Sequence, residues 1–135
     1  MDNFKNIESF EAAAISLAID PSVLPGTAGL PEKHATAIVS NYKLFIISEA
    51  AWAGKVIDWN NYSQYRYYPW FDMETYDTDD SGAVGSVSGF SFDGYAYDDT
   101  YTRVGSRLCF PTRAMAEYAG KQHLQLYRDV FVIEK

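Results

Sequence analysis

The sequence predicts an α+β fold: two N-terminal helices, a small antiparallel sheet of about three strands, and a C-terminal helix packed on that sheet. Three observations lead there. Up to residue 53 apolar residues recur at three- and four-residue spacing. From 54 to 110 that spacing gives way to aromatic-rich, period-two stretches punctuated by Gly, Pro and Asp, and from 111 helical spacing returns. With 135 residues, 47% of them hydrophobic, the chain can bury one core without staples and is read as a single domain, 1–135.

Taken in order, Ile7, Phe10, Ala14, Leu17 and Ala18 mark a short first helix after Asn6, a good N-cap, and Pro21 ends it. A turn-rich stretch through Gly26 and Gly29 leads to Pro31, where a second helix begins. Along it Ala35, Ile38, Val39, Tyr42, Phe45, Ile46 and Ala50 form a stripe that Leu44, Ile47 and Trp52 widen, so the helix is expected to be covered on more than one side. Gly54 stops it.

The segment from Gln64 to Phe71 reads as the first strand, with Pro69 pointing to an edge or a bulge. Val87 to Tyr97 resumes period two with Phe90 and Phe92 on one side; at Asp93-Gly94 the phase shifts, which fits a bulge or tight turn. Arg103 to Phe110 alternates once more and is expected to be the last strand, with Val104, Leu108 and Phe110 facing one way and Cys109 the other. Pro111-Thr112 opens the final helix, with Thr112 its N-cap and Ala116, Ala119, His123, Tyr127 and Val130 its inner stripe.

Charge and cysteine usage narrow the function classes. Eighteen acidic against 11 basic residues give a net charge of −7, which disfavours phosphate backbones and anionic membranes. No nucleic acid or membrane is expected as a partner. Cys109 stands alone, so no internal disulfide is expected, and a reducing compartment follows. No basic, apolar leader pattern opens the sequence, and no apolar run approaches the roughly 20 residues of a membrane span. A soluble, cytoplasmic chain is the expectation.

Motifs for chemistry are sparse. Asp77-Thr78-Asp79-Asp80-Ser81-Gly82 has the opening spacing of a calcium loop, but position twelve falls on Ser88, which cannot close it with a bidentate carboxylate. A solvated turn is the preferred reading. Cys109 lies in a strand pattern and reads as a small buried hydrophobe rather than a nucleophile; His34 and His123 read as structural. Two His and one Cys without paired spacing make no zinc site. The glycines form no phosphate loop. Neither metal nor cofactor is expected, and no catalytic residue is assigned. An acidic enzyme would need Asp72, Glu74, Asp98 and Asp99 to converge across a substrate.

The remaining anomaly is aromatic: 14 of the 22 aromatic residues lie between Trp52 and Tyr101, and 11 residues of the chain are Tyr. Buried Tyr needs a partner for its hydroxyl, so part of this set should reach the surface. Trp59, Tyr65, Tyr67, Tyr68, Trp70, Tyr95 and Tyr97 are therefore the candidate contact residues, for a protein partner or, alternatively, as stacking rings of a carbohydrate-binding module.

The runs Asp58-Trp59-Asn60-Asn61, Tyr65-Arg66-Tyr67-Tyr68-Pro69-Trp70-Phe71, Gly105-Ser106-Arg107-Leu108-Cys109-Phe110 and Ala116-Glu117-Tyr118-Ala119-Gly120-Lys121-Gln122 resemble a group of short proteins of unknown function encoded by Bacteroidetes phages, prophages and related gut genomes. The resemblance extends from about Tyr42 onward, more loosely before it, and is weakest from Thr75 to Asp80. It implies a phage or mobile-element accessory protein and carries over no catalytic residues. Together these readings lead to a non-enzymatic protein, in the bacterial cytoplasm or the virion, acting through contact with a phage or host protein or with further copies of itself.

Overall fold

The structure, a computed structural model, describes residues 4–73, 86–87, 90–99 and 101–133. Its fold is α+β. A 3-10 turn at Lys5–Ile7 leads into helix α1 (Phe10–Ser16), whose N-cap is Ser9; the Ser9 hydroxyl accepts from the Ala12 N–H at 3.0 Å. Asn6, expected to cap this helix, instead donates to the Ala50 carbonyl at 2.8 Å and ties the N-terminal segment to the second helix.

Helix α2 (Glu32–Trp52) follows Pro31 as expected and ends where Ala53 adopts a left-handed φ of 48° just before Gly54. It packs against α1, the N-terminal turn and the last helix, so its buried set runs round more than one side. Ser40 and Ser48 are buried there because each donates a hydroxyl hydrogen bond, Ser40 to Asp129 at 2.8 Å and Ser48 to the Cys109 carbonyl at 2.6 Å.

The sheet is essentially one antiparallel pair. Strand β1 (Arg66–Asp72) lies along β3 (Phe90–Asp98), and the two-residue β2 (Ser86–Val87) flanks the start of β3 on its other side. The pairing slips once. Trp70 meets Gly94 and Phe71 meets Phe92, leaving Asp93 as the extra residue where the sequence pattern shifts phase, with Gly94 at φ 135°.

The expected last strand is not there. Of Arg103 to Phe110 only Phe110 pairs, exchanging both backbone hydrogen bonds with Tyr67 at 2.9 and 2.6 Å; Ser106–Leu108 is a 3-10 turn. The preceding chain is held in a turn by the Asp98 carboxylate, which accepts from the Thr102 hydroxyl and the Arg103 N–H, both at 2.9 Å. Cys109, expected on the side opposite Phe110, is buried along with it.

The C-terminal helix is two helices. Helix α3 (Arg113–Gln122), capped by Thr112 as expected, stops at His123, and α4 (Leu124–Phe131) sets off anew. Both lie on one side of the sheet, where Gly120 lets α3 approach Pro69 and Phe92 closely. Two apolar clusters result: Ile7, Phe10, Ile47 and Phe110 anchor one between the first helices and α3, and Leu44, Phe71, Phe90 and Tyr127 the other beneath α4.

Candidate functional site

Strand alternation divides the expected contact residues between two faces. Tyr67, Tyr95 and Tyr97 stand on the α3 side of the sheet, where Tyr67 pairs with Tyr97 and Pro69 with Tyr95 across the strands. Because both backbone groups of Tyr67 turn outward to Phe110, the Tyr67–Tyr97 pair is the close, non-hydrogen-bonded kind. Tyr65, just before the strand, leans on the same group. Ring centroids are 4.6 Å apart for Tyr65 and Tyr97, 5.9 Å for Tyr67 and Tyr95 and 6.1 Å for Tyr67 and Tyr97. The Arg113 guanidinium covers Tyr95 at 4.6 Å while bridging to Glu117 at 2.8 Å. Inward, this cluster is fixed by α3; outward, Tyr65 and Tyr97 remain 42% and 50% exposed.

The opposite face does something else with its rings. Tyr68 is buried, with the Arg103 guanidinium against its hydroxyl, so, contrary to expectation, it offers no open ring. Trp59 serves the fold: its indole stacks on the Arg66 guanidinium at 4.2 Å and donates to the Ser106 hydroxyl at 3.1 Å. Arg66 is wholly buried and donates to the backbone carbonyls of Asp58 and Asp99, which pins the loops on either side of β1. Sequence reasoning missed this residue, although an Arg between ring-bearing strand positions, next to a Trp-containing turn, was the available signal.

Trp70 is 45% exposed and belongs to a third feature, an apolar cleft of about 260 Å³ at the outer edge of β1. The cleft opens just past the Tyr67–Phe110 bridge, where the 103–108 segment parts from β1. Phe71 and the buried Tyr127 form its base, Trp70 and Leu108 its walls, and Arg103 its polar lip. Pro69 lies on this edge and presents no N–H, which keeps the wall free of donors there. The Arg103 guanidinium is within 3.5 Å of the Tyr68 hydroxyl.

The residues with reactive chemistry are engaged elsewhere. Burial pushes the Cys109 thiol up to about 12, and its carbonyl accepts from Ser48 and from the Trp52 indole at 2.8 Å. His123 is buried and its Nε2 lies 2.7 Å from the Ile7 carbonyl; desolvation lowers its pKa, the hydrogen bond to Ile7 opposing. Asp72 and Asp98 occupy opposite ends of the β1–β3 pair, roughly 20 Å apart at strand rise, beyond the separation of glycosidase carboxylates. Asp98 is buried and hydrogen-bonded, while Asp99 is exposed. Glu74 and the Asp77–Gly82 turn lie outside the described residues.

Among the described residues no group of three or more His, Cys, Asp and Glu gathers at metal-binding distance, and no helix is long and apolar enough to cross a membrane. Compared with protein-family models, curated proteins and solved structures, the chain matches none.

Proposed function

We propose that this is a non-enzymatic phage or prophage protein that acts by binding another protein, as a minor virion component or as an accessory factor acting on a host protein, and that the Tyr65–Tyr97 end of the tyrosine cluster is its contact surface. The observation that carries the reading is the cluster itself: rings packed on one another and braced from beneath by α3, with two outer rings half exposed. Pre-ordered tyrosines bring large contact area at low entropic cost on binding, which is how Tyr-rich recognition surfaces work. The phage resemblance of the sequence and the burial of Cys109 and His123 support the same reading.

Carbohydrate stacking is less well served. A sugar platform needs open ring faces, whereas the Tyr65 and Tyr97 rings are tilted by 36° and lie face against neighbour.

The test places a photo-crosslinking side chain at Tyr97, and separately at Ile15, an exposed position on α1, in cells carrying the phage or prophage. A discrete adduct from position 97 alone, lost when Tyr65→Ser is added, is the expected result. Equal labelling from both positions, or none from 97, removes the proposal. Sedimentation of the purified chain separates a self-adduct from one with a different protein.

A further inference from the structure

The cleft at the β1 edge lies apart from the tyrosine cluster and has its own chemistry. Its lining is mostly apolar side chains, among them Pro69, Trp70, Phe71, Val104, Leu108 and Phe131. Such a lining is poorly wetted, and an apolar body that displaces its water gains affinity. Its volume, about 260 Å³, lies just below the usual range of ligand pockets and suits a body of one ring or a short branched chain.

The lip is polar at one point. Arg103 is exposed, and its backbone is fixed by the Asp98 carboxylate, which accepts from its N–H. Its guanidinium is oriented by the Tyr68 hydroxyl, itself on the cleft wall. The Asp98 carboxylate is turned to the Thr102 hydroxyl and the Arg103 N–H and does not line the cleft. Among the described residues, none of those lining the cleft carries a carboxylate. On a chain of net charge −7, Arg103 is the charged group among the described lining residues, and it is a cation.

We propose that the cleft binds a small monocarboxylate with an aromatic or branched aliphatic body, the body seated on Phe71, Trp70 and Leu108 and the carboxylate paired with the Arg103 guanidinium. A planar carboxylate matches the guanidinium fork, and an apolar tail matches the dry base. A cationic ligand would meet Arg103 and be repelled; a polyol would leave its hydroxyls unsatisfied against Leu108 and Phe131.

The experiment titrates the isotope-labelled protein with 4-phenylbutyrate and with its neutral amide, following the Trp70 indole resonance. The Trp52 indole, buried and donating to the Cys109 carbonyl, reports on an intact core. The acid is expected to bind with a dissociation constant of about 0.1–1 mM, as fragment-sized ligands do, and the amide about tenfold more weakly. Arg103→Gln, which keeps the N–H to Asp98, should bring the acid down to the affinity of the amide and leave the amide unchanged. Val104→Phe, which fills the cleft, should abolish both while the Trp52 signal stays in place. The proposal is overturned if neither ligand moves Trp70 at about 5 mM, or if the acid keeps its advantage in Arg103→Gln.

Discussion

The Nε2 of His123 lies 2.7 Å from the carbonyl of Ile7, so the break between α3 and α4 is fastened to the 3-10 turn at the other end of the sequence. The bond requires the proton on Nε2, and burial keeps the ring neutral by lowering its pKa from the ordinary 6.5. A lowered imidazole pKa means that the unfolded chain takes up the proton first. Stability is then full above about pH 6.5 and falls as the pH drops from there through the folded-state value. Urea midpoints measured from pH 7.5 down to 5 should decline in the wild type. In His123→Gln, which can still donate to Ile7, that decline should flatten; an unchanged slope would sink the assignment.

Arg66 is the most demanding buried group. Truncating it to Ala strips the Asp58 and Asp99 carbonyls of their donor and Trp59 of its cation, at a cost of about 3 kcal/mol or more. Lys carries the charge on a single point and cannot reach two carbonyls while stacking flat, so Arg66→Lys should lose about half as much. Equilibrium urea unfolding of both variants measures this; a loss under about 0.5 kcal/mol for Ala would show the guanidinium to be a bystander.

Gly120 reverses a usual rule. In mid-helix Gly→Ala ordinarily gains about 1 kcal/mol. Here a methyl would stand 2.6 Å from Pro69 Cβ and 2.7 Å from the Phe92 ring, both held by the sheet. Gly120→Ala should therefore destabilise by about 1–3 kcal/mol, seen as a lower thermal midpoint. A stabilised variant would mean that α3 can lift off β1 freely.

Cys109 should be silent in the native state. With its thiol buried and held protonated up to about pH 12, a colourless thiol reagent that reports on release should react at pH 8 only as fast as the protein opens. Stoichiometric reaction within the mixing time would contradict the burial. Since the folded pKa lies above the ordinary thiol value of 9.0, any stability linked to this group is present below pH 9 and lost as the pH rises through the folded value.

How much of this was legible in the sequence varies with the kind of force involved. Local chemistry was: Pro31 and Thr112 start their helices, Gly54 follows the end of α2, and the phase shift at Asp93-Gly94 is a bulge. The break at His123 was not, since the apolar stripe from Ala116 through Tyr127 runs straight across it; it stems from a hydrogen bond to a residue 116 positions away. The missing strand had a nearer cause. Arg103 to Phe110 alternates like a strand, but Asp98 holds Thr102 and Arg103 in a turn, which no periodicity reveals. For the contact residues, period two already placed Tyr68 and Trp70 opposite Tyr67, so the expected single surface was separable; that Tyr68 would be buried against Arg103 was not.

The bonds from His123 to Ile7 and from Gln122 to the Glu8 carbonyl also set a schedule for biosynthesis. Ile7 and Phe10 leave the ribosome before their ceiling of Phe110, Ala116 and Ala119 exists. At ordinary elongation rates that interval is roughly 6–25 s, far longer than a helix takes to form. Residues 4–17 must spend most of it with only α2 against their apolar side, so nascent-chain protection by a chaperone should centre on this stretch and end when α3 and α4 emerge.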